Sequence, residues 1–192
     1  MTTHDMKRQD KVEFGFWLYL MTDLMLFASL FATFVVLRGG TNGGPSGQDI
    51  FNIDYVMVQT FILLASSVTS GLAFAAAKFG KTKQMISFLF GTILLGVSFL
   101  GLELAEFRTL VSEGHSWTHS AFLSSFFTLV GTHGIHIFIG LIWATVLLVI
   151  LLRRGLSSNR LRKLGLFTMF WHFLDLVWIF IFTIVYVIGG NL

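Results

Sequence analysis

Apolar positions fall along this chain in five long blocks separated by short polar connections. The blocks run from Phe14 to Leu37, Tyr55 to Ala77, Met85 to Phe107, Phe122 to Leu152 and Leu164 to Ile188. An α-helix needs roughly 20 apolar residues to cross a bilayer, and every block is long enough. The pattern predicts an all-α fold, a polytopic bundle of five transmembrane helices forming one membrane domain over residues 1–192. The fourth block has length to spare for tilting or for projecting past the lipid. The first connection, RGGTNGGPSGQD, is glycine-rich, holds the single proline of the chain and reads as loop. There is no internal repeat and no soluble domain.

Composition agrees. The chain is 55% hydrophobic and only 12% charged, with a mean hydropathy of +0.79. Soluble domains are nearer a quarter charged, and a chain this apolar cannot cover itself with polar surface. The absence of cysteine excludes a disulfide frame, an iron–sulfur site and c-type haem attachment. The polar N-terminus, MTTHDMKRQDKVE, runs into the first block without a small-residue cleavage site, as expected of a retained cytoplasmic tail.

A net charge of +3 suggests nucleic acid until its distribution is read. Eleven of the 13 basic residues lie in the N-terminal tail (Lys7, Arg8, Lys11), after the second block (Lys78, Lys81, Lys83) and after the fourth (Arg153, Arg154, Arg160, Arg162, Lys163). Only Arg38 and Arg108 lie in the alternate connections. The positive-inside rule then places the N-terminus in the cytoplasm and the C-terminus in the periplasm. The basic balance is a topology signal, and no nucleic-acid partner is expected.

Seven ionisable residues fall inside the blocks: Asp23, Glu103, Glu106, His133, His136, His172 and Asp175. A charge at the centre of a lone transmembrane helix costs about 2.5–3.5 kcal/mol on insertion scales, so such groups face protein or water. The segments ELAE, HGIH and HFLD each place two of them three residues apart, on one helix face. Three readings follow: a metal centre built from carboxylates and histidines, a proton or ion path, or partnered groups that lock helices together.

Depth narrows these. At ~1.5 Å per residue, Glu103 and Glu106 stand roughly 9–14 Å to the outer side of their block's midpoint, His133 about 6 Å to that side and His136 near the centre. Asp23, His172 and Asp175 stand about 3–8 Å to the cytoplasmic side. Metal–ligand bonds of ~2 Å cannot join ELAE to HFLD, and His136 and His172 differ by ~9 Å in height, too much for one haem iron. A smaller site with Glu103 and His133 stays open. The expected pairings are Asp23 with His136, His172 or Asp175 in an inner layer, and Glu103 or Glu106 with His133 in an outer one.

Gly131 and Gly134 flank His133 and read as points of close helix approach. The Ser-, Ala- and Gly-rich second block reads the same way. Trp171 and Trp178 lie deep, so their indole N–H groups need partners. His115 and His119 flank Trp117 in a loop, a weak metal signal. The chain has no Walker loop, dinucleotide fingerprint, serine nucleophile elbow or HExxH motif.

In order along the chain stand FWLYLMTDLMLFASLFATFVVLR, QTFILLASSVTSG, GLELAEF, FFTLVGTHGIHIFIGLIW and FWHFLDLVWIFIFTIVY. Together, from Gly15 to Gly190, they resemble subunit III of the haem–copper terminal oxidases, nearest the five-helix branch found in bacterial cytochrome o ubiquinol oxidases. The mitochondrial branch has two further N-terminal helices. The resemblance implies a non-catalytic accessory subunit in the bacterial inner membrane. It would carry no cofactor of its own and pack beside subunit I, which holds haem and copper, together with subunits II and IV. Its implied roles are core assembly and stability, phospholipid binding and sustained proton uptake, and a part in oxygen access is also attributed to the family. Asp23 matches the family's buried carboxylate, which is Glu in the cytochrome-c branch. Glu106 matches an acidic position of that family, and Glu103 one that is often Gln in mitochondrial members. His133 with His136, and His172 with Asp175, match its paired motifs. Gln59 departs from the Glu usual in close quinol-oxidase relatives. Reading the residues without the resemblance keeps two other classes in view, a free-standing membrane metalloenzyme and a small proton-coupled transporter.

Overall fold

The computed structural model describes residues 3–41, 53–112, 114, 118 and 120–189, with residues 3–10 by backbone only. Pro45, His115, Trp117 and His119 lie outside the described residues. Five helices are long and apolar enough to cross a membrane, and no strand occurs among the described residues. They are α1 (Thr3–Leu37), α2 (Ile53–Lys78), α3 (Thr82–Ser112), α4 (Ala121–Arg154) and α5 (Ser158–Ile181), the last continuing as a π-helical segment, Phe182–Ile188. Lipid offers backbone groups no partners, so a spanning segment must satisfy them internally, which a helix does.

Most helices extend beyond their apolar blocks. Hydropathy marks the part that faces lipid or core, whereas the hydrogen-bonded ladder runs on until a cap stops it. Asp54 in the first turn of α2 and Lys78 in its last suit the helix dipole. Gly80, at φ +70°, then closes α2: its N–H donates to Ala77 O (3.1 Å) and the Lys81 N–H reaches back to Ala76 O (2.9 Å). Ser120 caps α4 by accepting from the Leu123 N–H at 3.1 Å. Gly155, at φ +66°, ends α4, with Arg153 and Arg154 in its last turn.

α2 packs along both α3 and α5, α4 fills the space between α3 and α5, and α1 lies outermost against α4 and, more lightly, α5. The core is aromatic. Phe27, Phe34, Phe99, Phe122, Phe126, Phe170, Trp171, Trp178 and Tyr186 are all buried. Glycines let this bulk fit. A Cβ on Gly140 would stand 2.8 Å from the Trp171 ring, and one on Gly96 would stand 2.8 Å from Leu141 and 3.0 Å from Trp171. Trp171 thus lies in a slot cut into α3 and α4.

Candidate functional site

The second helix organises the polar interior. Its buried residues Val56, Gln59, Leu63, Ser66, Ser67, Ser70, Ala73 and Ala77 recur every three or four positions, one continuous stripe. Its hydroxyls and amides serve the neighbouring helices. Trp178 Nε1 donates to Thr60 Oγ1 and Trp171 Nε1 to Ser66 Oγ, each at 3.0 Å. The Thr69 and Thr92 hydroxyls meet at 2.9 Å. Gln59 Nε2 donates to Glu106 Oε2 at 3.1 Å, and the Tyr55 hydroxyl donates to Leu102 O at 2.9 Å. The two deep indoles therefore have the partners their depth requires. The sequence reading took this block for packing alone, although the spacing of its hydroxyls on one face was legible.

Asp23 on α1 faces His136 on α4, with Oδ2 3.6 Å from Nε2. The other ring nitrogen of His136 donates to Thr132 O at 2.8 Å, which fixes the ring. Of the inner-layer alternatives for Asp23, the fold realises His136.

His172 and Asp175 stand one turn apart on α5, and Ser67 Oγ of α2 lies 2.6 Å from His172 Nδ1. Asp175 is buried, while His172 is exposed on a cleft between α1, α2 and α5.

The outer layer differs from expectation. His133 is fully buried, stacked on Trp178 at 5.3 Å between centroids and edged by Phe27 and Phe99. Neither of its ring nitrogens has a hydrogen-bond partner among the described residues, so it pairs with neither Glu103 nor Glu106. Trp178, Phe27 and Phe99 pack around the ring in the place of a carboxylate. Glu103 instead lies over the backbone of Gly134, where a Cβ would stand 2.8 Å from Oε1. Glu106 takes the Gln59 amide and faces the Tyr186 hydroxyl. Gly134 is thus a point of close approach, whereas a Cβ on Gly131 would make only ordinary contact with Phe107 at 3.8 Å.

Each of the three-apart pairs behaves differently. In HFLD His172 bonds Ser67 while Asp175 is buried, HGIH divides between a cage and a carboxylate, and ELAE divides between a backbone contact and an amide. No group of three or more His, Asp or Glu residues able to hold a metal ion occurs among the described residues.

This is a polytopic helical bundle stitched by interhelical hydrogen bonds, and its relatives fall in one class. Residues 1–190 match the family of cytochrome c oxidase subunit III, and the chain belongs to that family. It is 54% identical over 177 residues to the cytochrome bo(3) ubiquinol oxidase subunit 3 of Pseudomonas aeruginosa, covering 92% of this chain and 85% of that one. It is 47% identical to the cytochrome c oxidase subunit 3 of Bacillus sp. strain PS3 (91% and 84% covered). It is 45% identical to the quinol oxidase subunit 3 of Bacillus subtilis (91% and 86%). With its five spans, the chain is a membrane protein of this oxidase-subunit family.

Proposed function

We propose that the chain is the accessory third subunit of a proton-pumping quinol:oxygen oxidoreductase in a bacterial inner membrane. The observation that carries this reading is the near-complete match to a ubiquinol oxidase subunit 3 at 54% identity. In this reading the haems and copper reside in subunit I, beside which the chain packs, with subunits II and IV completing the complex. Quinol gives up two electrons and two protons, and four electrons with four protons reduce oxygen to two waters. The chain supports that chemistry by stabilising the assembled core, holding phospholipid and sustaining proton uptake. Its N-terminus is cytoplasmic and its C-terminus periplasmic, on the distribution of lysine and arginine.

The interior polar groups act in this reading as helix-to-helix fasteners. An isolated polar group in hydrocarbon is costly, and a partnered one specifies register. His136 with Asp23 ties α1 to α4, and Ser67 with His172 ties α2 to α5.

Purification of a tagged chain from its own membranes in mild detergent tests the reading. The expected result is recovery with a haem-bearing large subunit, and an oxidase that still turns over at first when the chain is removed. Recovery of the chain alone, with stoichiometric metal or with solute uptake in reconstituted vesicles, would overturn it in favour of a metalloenzyme or a transporter.

A further inference from the structure

The exposed edge of His172 is a polar feature that fastening leaves unused and that opens on a cleft. The cleft before it has a volume of about 440 Å³. Trp17 of α1, Phe74 of α2 and Leu166 and Met169 of α5 form its walls. Two glycines keep it open. A Cβ on Gly71 would stand 3.6 Å from His172 Nε2, and one on Gly165 would press to 3.0 Å from the Phe74 ring. Arg162 and Glu13 meet at the mouth, 3.4 Å apart, about 15 Å along α5 from His172.

Ser67 Oγ, 2.6 Å from Nδ1, holds the His172 ring in place. The other ring nitrogen, Nε2, is left to the cleft, where it has no hydrogen bond among the described residues and donates or accepts according to the tautomer. An apolar slot with aromatic walls and one deep polar nitrogen fits a flat apolar ring bearing a hydroxyl group. A phospholipid fits less well. Its head group belongs at the mouth, where Arg162 already meets Glu13, and its chains would lie over Nε2 and leave that nitrogen against hydrocarbon, at a cost.

We infer that the α1/α2/α5 cleft is a binding site for a quinol head group, whose hydroxyl hydrogen-bonds His172 Nε2 while its tail leaves sideways into the lipid. The inference rests on the quinol-oxidase reading above and adds a site outside the subunit that carries the redox centres.

The test is equilibrium binding of radiolabelled decylubiquinol to the purified intact complex without oxygen, comparing wild type with His172→Phe, His172→Gln and Gly71→Leu. The expected result is a saturable site in the wild type, weakened roughly three- to tenfold by His172→Phe. The site should be partly recovered in His172→Gln, whose amide still hydrogen-bonds, and lost in Gly71→Leu, which fills the cleft. Because variants can disturb assembly, wild-type complex saturated with decylubiquinol is also imaged, and density for a ring beside His172 is expected. Identical binding in wild type and all three variants would overturn the inference. So would a phospholipid chain, or a side chain of another subunit, occupying the cleft in that image. Haem content of the same preparation separates the two claims. A haem-bearing complex without a His172-dependent site overturns the cleft alone, whereas a haem-free preparation overturns the functional reading and this inference with it.

Discussion

The carboxyl of Glu103 lies directly on the backbone of Gly134, so close that a single added carbon at Gly134 would stand 2.8 Å from Oε1 and 3.2 Å from Cδ. Glu103 is only 1% exposed and has no open side to retreat to. Gly134→Ala is therefore expected to destabilise the α3–α4 contact by about 1–3 kcal/mol, the usual cost of overpacking. Gly131→Ala, meeting only Phe107 at 3.8 Å, should stay within about 0.5 kcal/mol of wild type. Thermal unfolding midpoints of the two variants in the same detergent check the contrast. A matching fall in both would show that the Glu103 contact is not the cause.

Asp23 and His136 join the outermost helix to α4. Asp23→Asn keeps a group able to hydrogen-bond the ring and should leave α1 in place. Asp23→Leu leaves a largely buried imidazole nitrogen without a partner and should cost about 1–3 kcal/mol. Protease accessibility of α1 in detergent distinguishes the two. Equal resistance to cleavage in both variants would remove Asp23 from the list of fasteners.

Serines that look alike in sequence should behave differently. Ser66 accepts the buried Trp171 indole N–H at 3.0 Å, so Ser66→Ala should cost about 0.5–2 kcal/mol, the range of interhelical hydrogen bonds in membranes. Ser29 faces outward and donates only to Leu26 O of its own helix at 2.7 Å. Ser29→Ala should therefore be close to neutral. Denaturation in mixed micelles ranks them, and a larger effect at Ser29 would reveal a contact of that face with a partner subunit.

His133 offers the sharpest test of the outer layer. Its nitrogens are without partners in a cage of Phe27, Phe99 and Trp178, so His133→Phe keeps the ring stacking and removes two unsatisfied groups. The expected change is within about 1 kcal/mol of wild type. Had His133 formed a buried ion pair with Glu103 or Glu106, removal of one partner would cost about 3–5 kcal/mol. The unfolding midpoint of this variant decides between the two arrangements.

Five helices, their approximate limits and the family were legible in the sequence, because lipid makes the rules simple. A segment that crosses must be long, apolar and helical. Ordered motifs such as THGIH and WHFLDLVW carried the family assignment. The height of each ionisable group along its own helix is legible too, since it is residue number times rise.

What height cannot supply is azimuth, the direction in which each side chain leaves its helix relative to its neighbours. Asp23 had three candidate partners at suitable depth, and only the packing of α1 against α4 selected His136. His133 sat at a height suitable for a glutamate, yet its rotation places it against Phe27, Phe99 and Trp178. Ser67, an unremarked serine in a small-residue block, became the partner of His172 because α2 packs along α5 with that face inward. The chain alone thus determined that these polar groups fall within the apolar spans and at what height along each helix. The tertiary structure decided which of them meet, because a hydrogen bond depends on the relative rotation of two helices and no single helix encodes that angle.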